Sequence, residues 1–321
     1  MRCLVIGGSG QDGVLVSAQL LAEGHRVTTV SRTPSPLTDV DHRSLDVSDS
    51  AAIESLVAEL VPDEIYYLAA HHRSSQDGTP PLDTDLIGCL EVNATAFAAL
   101  LGAVDRHAAT ARTVYASSCR IFGLGDGRLL DETAGRAPVC PYGISKVAGM
   151  AIADLYRRER NLFVASAILF NHESELRPAG FISKKLVLAA LAARTDPGVR
   201  LTVGSLDDAA DWCSARDATA ALRAMLRTEK AADFVVASGR LHTVRDFAAA
   251  CFGAVGLDWA RHVAAAPVEG RPRWRLVGDS TKLVSRTGWH PTLGFDEMVR
   301  DLVMRTDRYE RQRAADFHPY L

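Results

Sequence analysis

Several protein classes are excluded by what this chain lacks. None of the six cysteines (3, 89, 119, 140, 213, 251) forms a C-x-x-C pair. The expectation is therefore six free thiols, no metal site and a cytoplasmic setting. Basic residues are not in excess: 36 Lys+Arg stand against 39 Asp+Glu, a net charge of −3, which argues against a nucleic-acid partner. No run of about 18 apolar residues is read, so no membrane span is expected. A glycine-rich turn arrives after six residues, leaving no room for a signal peptide. Internal repeats and low-complexity linkers are missing too. With 47% hydrophobic residues, 24 Gly and 13 Pro, the composition excludes long disorder and collagen-like repeats. A length of 321 residues exceeds most single cores. One large α/β domain or two joined lobes is the expectation.

Periodicity in the first half alternates between strand and helix. Strands are expected at 2–6, 25–30, 64–69, 113–117 and 163–169, and helices at 13–22, 48–61, 85–106 and 139–160. That order predicts an α/β, Rossmann-type doubly wound parallel sheet with helices on both faces. The second half is less regular. Helices are expected at 180–193, 214–227, 243–252, 280–287 and 295–309, with short strands at 200–203 and 234–238. The domain reading is a dinucleotide-binding domain over 1–170, with 214–238 returning to it. A smaller, interleaved substrate-binding lobe takes 171–213 and 239–321.

Between the first strand and the first helix, Gly7, Gly10 and Gly13 follow the spacing Gly-x-x-Gly-x-x-Gly, with Gln11 and Asp12 between the last two. Glycines there permit a tight turn and close backbone approach, and the helix N-terminus faces a pyrophosphate. An NAD site usually ends its second strand in Asp or Glu for the ribose hydroxyl. This chain has Ser31 and Arg32, and a guanidinium pairs with a 2′-phosphate. NADP(H) is thus favoured over NAD(H). After the next strand-like stretch, Asp46 and Val47 are placed to meet the adenine. Leu68, Ala69 and Ala70 end another strand with small side chains against which a cofactor can lie.

Tyr142 and Lys146 stand four apart early in a helix, so both reach one cleft. A nearby ammonium lowers a phenol toward working pH and makes it an acid/base. Ser118 ends the preceding strand and is placed to hold the same substrate oxygen.

With these residues in place, the chain resembles the extended short-chain dehydrogenase/reductases, and within them the GDP-mannose 4,6-dehydratase branch. The resemblance is carried by Gly10-Gln11-Asp12-Gly13, by the stretch 62–70, by Asn171-His172-Glu173-Ser174, by 211–217, by 233–239 with 242–245, and by Gly278-Asp279 with Gly288-Trp289. It implies a nucleotide-diphosphate sugar as substrate and hydride transfer at sugar C4 with Tyr142 as base, supported by Ser118 and Lys146. Asn171, Lys184, Lys185 and Arg271 resemble the substrate-binding positions, and a homodimer or homotetramer is implied.

One departure bears on the reaction. The family's Ser/Thr-x-Glu supplies the acid/base that removes water across C5–C6, and here it reads Ser118-Cys119-Arg120. Arginine does not accept a proton near neutrality. Candidates for a substitute are Cys119, as a thiolate with its pKa depressed beside Arg120, and His71 or His72. Strand alternation sets against Cys119 the reading that it faces away. The resemblance therefore leaves a dehydratase, an epimerase and an NADPH-dependent 4-ketoreductase open. From another class comes a non-catalytic NAD(P)-binding sensor or scaffold, against which the retained Ser118, Tyr142 and Lys146 count.

Overall fold

A computed structural model describes residues 1–72, 82–266 and 273–316. The first half runs β1 (Arg2–Ile6), α1 (Gln11–Ala22), β2 (Arg26–Ser31), β3 (Asp41–Ser44), α2 (Ser50–Leu60), β4 (Glu64–Tyr67), α3 (Leu82–Leu90), α4 (Ala96–His107), β5 (Arg112–Ser118), β6 (Leu129–Leu130), α5 (Pro141–Arg160) and β7 (Phe163–Leu169). Then follow β8 (Asn171–Glu173), α6 (Ile182–Ala193), β9 (Leu201–Val203), β10 (Ala209–Ser214), α7 (Ala215–Met225), β11 (Asp233–Val236), β12 (Leu241–Thr243), α8 (Val244–Ala254), β13 (Val263–Ala265), β14 (Arg275–Gly278), α9 (Thr281–Thr287) and α10 (Phe295–Asp316).

Seven strands form one parallel sheet in the order β11-β7-β5-β4-β1-β2-β3. Alternation on the strands sorts the core. Leu4 and Ile6 face α2, α4 and α5, whereas Cys3 and Val5 face α1 and α7. The strand order reverses between β1 and β4. In such sheets that reversal opens a crevice at the carboxyl ends of the strands.

Chain from residue 171 onward, joined by the short β6, builds a second layer around that crevice. Strands β12-β10-β14-β6, with β8 paired to β10, make a smaller sheet. Helices α6, α8 and α10 close on Trp212 through Leu186, Phe247, Phe252, Met298 and Leu302. The segment between them, α7 and β11, packs on the large sheet, where β11 pairs in parallel with β7.

Helix limits follow local chemistry. The long helix starts at Pro141, two residues later than its apolar pattern suggests. Proline suits the first helical position, and the Cys140 sulfur caps it by accepting from Gly143 N–H. It ends on left-handed Asn161. The expected helix 85–106 is a continuous coil of α3 and α4 with one π-turn, Glu91–Thr95, between them. A π-turn frees carbonyls from the helical ladder. The buried phenols Tyr67 and Tyr115 donate to two of them, on Val92 and Asn93.

Residues 82–107, taken as one helix, are long and apolar enough to cross a membrane by length and composition. It is not an unbroken apolar run, because Glu91, Asn93 and Thr95 interrupt it. Phe97, Leu100, Leu101, Ala103 and Val104 are all fully buried against α2 and the sheet, the pattern of a core helix. On the outer side of the α3/α5 pair, Leu82, Ile87, Ile144 and Leu155 are exposed.

Candidate active site

A cavity of about 850 Å³ runs from the glycine turn to the second layer. Its cofactor end is built from backbone. Gly7 has φ +92°, and a Cβ there would lie 2.6 Å from Ala69 N. A Cβ on Gly13 would lie 2.2 Å from the Gly7 carbonyl oxygen. Only glycine permits this fold of the turn, which Gly7 and Gly8 N–H secure by donating to Val30 O. The residue that caps the start of α1, Gly10, offers no side-chain cap, so the first-turn amides face the cavity open to an anion. The glycines of the turn, Gln11, Asp12, Leu68 and Ala70 line the space. These features fit a dinucleotide pyrophosphate.

Arg32 and Asp46 stand outside this cavity, at the exposed ends of β2 and β3. Asp46 Oδ1 accepts from Ser48 N–H (3.0 Å) and Oγ–H (2.7 Å). These bonds, with some help from Arg32, hold its carboxyl below the usual range. Val47 is partly buried against the core, as is Ala69, whose backbone abuts the glycine turn.

In the middle of the cavity stand Ser118, Tyr142 and Lys146. The Ser118 hydroxyl is near enough to the Tyr142 phenol to offset part of the effect of burial on it. Lys146 is buried, and its Nζ donates to the Ala116 carbonyl at 2.7 Å. Nζ lies 5.5 Å from the Tyr142 ring centroid. The expectation that this ammonium lowers the phenol is corrected for the cofactor-free protein. Burial raises Tyr142 well above its ordinary value, and the cation that opposes this is Arg177. Burial also drops Lys146 to about 7.

The candidates for the missing carboxylate separate. Cys119 lines the cavity, not the far side of the strand, because the chain turns into a short 3-10 helix at Cys119–Phe122. Its thiol is not depressed: burial pushes it up to about 11, and Arg120 offsets only part of that. His72 reaches the cavity, edge-on to Tyr142 with centroids 4.5 Å apart and stacked on Phe181. His71 turns away. Asn93 holds its backbone N–H and carbonyl, and its Nε2 lies 3.6 Å from Asp85 Oδ1. His71, Asp85 and Cys89 place one potential metal-ligand atom each within 4.8 Å of one another, a grouping that the cysteine spacing did not reveal. Arg120 stacks on Trp274, its guanidinium carbon 3.6 Å from the ring centroid.

At the substrate end, Asn171 and Lys185 line the cavity. Lys184 does not. It points inward from α6, donates to the Glu175 carbonyl (2.8 Å) and pairs with Glu310 (3.1 Å), so it is removed from the diphosphate set. Arg271 lies outside the described residues. Arg273 and Arg275 are exposed, while Trp274 between them faces the site.

Two features escaped the sequence reading. Arg177 lines the cavity, 3.9 Å above the Phe181 ring and 3.4 Å from Glu173. Its position four residues after Glu173 was the available signal. The other is a buried ion pair between Asp12 of the glycine turn and His172 of β8, 3.0 Å apart. Burial opposes both charges, yet the pair holds Asp12 below and His172 above their ordinary values. The same strand and turn are joined by Gln11, which donates to the His172 carbonyl and accepts from Ser174.

Residues 4–302 match the family profile of GDP-mannose 4,6 dehydratase. The chain belongs to that family. Among curated relatives, GDP-mannose 4,6 dehydratase 1 of Arabidopsis thaliana is 31% identical, over 94% of this chain and 88% of the plant protein. GDP-mannose 4,6 dehydratase of Homo sapiens is 29% identical, over 94% and 90% respectively. Among solved structures, the UDP-glucose 4-epimerase of Thermus thermophilus in complex with NAD superposes with a TM-score of 0.84 at 24% identity, covering 96% of this chain and 99% of that one. Membership makes the protein an enzyme of the short-chain dehydrogenase/reductase type, and its Rossmann fold is that of the nucleotide-sugar epimerases and dehydratases.

Proposed function

We propose that this enzyme is an NAD(P)-dependent oxidoreductase acting at C4 of a nucleotide-diphosphate sugar, and that it moves hydride there without removing water. One observation carries the reading. Ser118, Tyr142 and buried Lys146 line one cavity, while position 120 holds a guanidinium seated on Trp274. The C4 machinery is kept, and the carboxylate for elimination is not.

The glycine turn and the α1 N-terminus would hold the cofactor pyrophosphate, with Leu68 and Ala70 beside it. The bound dinucleotide supplies a hydride acceptor or donor. Ser118 orients the C4 oxygen, and Tyr142 takes or returns its proton. Lys146 braces the strand end by its bond to Ala116. Asn171, Lys185 and Arg177 face the nucleotide diphosphate. Elimination across C5–C6 needs a group that accepts a proton near neutrality, and arginine does not. Incubation with nucleotide sugars, followed by mass spectrometry, tests this. The expected product is an isomer or, from a 4-keto nucleotide sugar with reduced cofactor added, a sugar heavier by two hydrogens. A product lighter by one water overturns the reading and moves the elimination base to His72, whose ring stands against Tyr142.

The cofactor is assigned as NADP(H). Arg32 is exposed just past β2, where no carboxylate is present to prefer a ribose hydroxyl. NADPH should bind roughly 10–100-fold more tightly than NADH, the range of a charge-assisted bond, with the gap lost in Arg32→Ala. Equal affinities in the wild type, by fluorescence titration, count against it.

A further inference from the structure

Among the described residues, Arg120 is a cation without a counter-ion. Its Nη1 is buried and meets no acceptor there, and no ion pair to it occurs. The buried acid nearby on β10, Asp211, is saturated by donors from Ser238, Gly239 and Gly278. The segment is also rigid. Arg120 N–H donates to Ser118 Oγ (3.2 Å). Its carbonyl oxygen would lie 2.6 Å from a Cβ on Gly143, so the start of α5 clamps it. Trp274 holds the flat face of the guanidinium and leaves its edge for a ligand.

A half-buried guanidinium without a partner among the described residues favours an anion, and its forked edge matches a carboxylate. Position separates the anions a nucleotide sugar offers. The diphosphate hangs from sugar C1, and Lys185 lines the cavity from α6, whereas Arg177 also acts on Tyr142 and is already paired with Glu173. Arg120 belongs with Ser118 and Tyr142, which grip the C4 oxygen on the reading above. The exocyclic C6 is two bonds from C4, and a sugar carboxylate sits there.

We propose that Arg120 selects nucleotide-linked hexuronates, pairing its open edge with the C6 carboxylate of the sugar. This rests on the C4 oxidoreductase reading, and the test separates the two. Two probe pairs differ only at C6: UDP-glucuronate against UDP-glucose, and GDP-mannuronate against GDP-mannose. Affinity by calorimetry and kcat/KM are measured for the cofactor-loaded wild type, Arg120→Met and Arg120→Lys. In the wild type the carboxylate member of at least one pair is expected to lead by roughly 10–100-fold, the range of a charged hydrogen bond. The ratio should fall toward one in Arg120→Met and recover in part in Arg120→Lys. A wild type that treats both pairs alike, or a ratio unchanged in Arg120→Met, overturns the proposal. If no probe is turned over, the C4 reading fails, and the affinity ratio still decides the role of Arg120.

Discussion

Tyr142→Phe should lower kcat by about 10²–10⁴-fold while leaving cofactor affinity within a few-fold. The variant keeps the ring that His72 meets edge-on and removes only the phenolic hydroxyl. A split of that kind, with turnover lost and binding kept, is what removal of a proton-transfer group produces. The cavity wall around it is unaltered, so thermal stability should change little. Single-turnover kinetics with a reduced or oxidised cofactor isolates the hydride step. A loss below tenfold would show that Tyr142 is part of the wall and not of the chemistry, and would favour a dinucleotide-binding scaffold.

Lys146→Met should do two opposite things. Activity should fall, because the residue that fixes the strand end beside Ser118 is gone. Stability of the cofactor-free protein at neutral pH should rise. The reason is the burial that lowers this amine to about 7. An unfolded chain binds the lysine proton up to its ordinary value of 10.5, and the folded chain releases it near 7. Between those values the unfolded state holds more protons, so wild-type stability climbs with pH. Relative to the Met variant, the wild type should gain on the order of 1 kcal/mol per pH unit from pH 7 to pH 9. Above that, Cys119, with its thiol near 11, destabilises both proteins alike as its unfolded form ionises first. Denaturant titration at pH 7, 8 and 9 checks this. Parallel profiles for the two proteins would mean that water reaches the amine.

Features governed by short-range rules were legible in the sequence. The glycine turn has a spacing with one physical purpose, and the i, i+4 pair Tyr142/Lys146 needs nothing beyond helix geometry. The parallel sheet followed from alternating periods. Contacts that depend on chain segments far apart were not legible. Lys184 and Lys185 are sequence neighbours, but adjacent residues on a helix point about 100° apart. One is locked to Glu175 and Glu310, and the other reaches the cavity. Only the packing of α6 decides which. Cys119 beside Arg120 suggested a thiolate, yet depth of burial outweighs one neighbouring charge. Arg177 and Trp274 join the site because β8 pairs with β10 and β10 with β14. Those are strands of three to six residues, too short for periodicity to reveal.

The Asp12–His172 pair has a thermodynamic consequence. It ties the glycine turn to the strand that carries Asn171, which on the function proposed above is a physical route for coupling between the two halves of the ligand set. Whatever sugar occupancy adds to dinucleotide affinity, dinucleotide occupancy adds back to the sugar by the same factor. Titrating dinucleotide with and without sugar should therefore return the same factor as the converse titration.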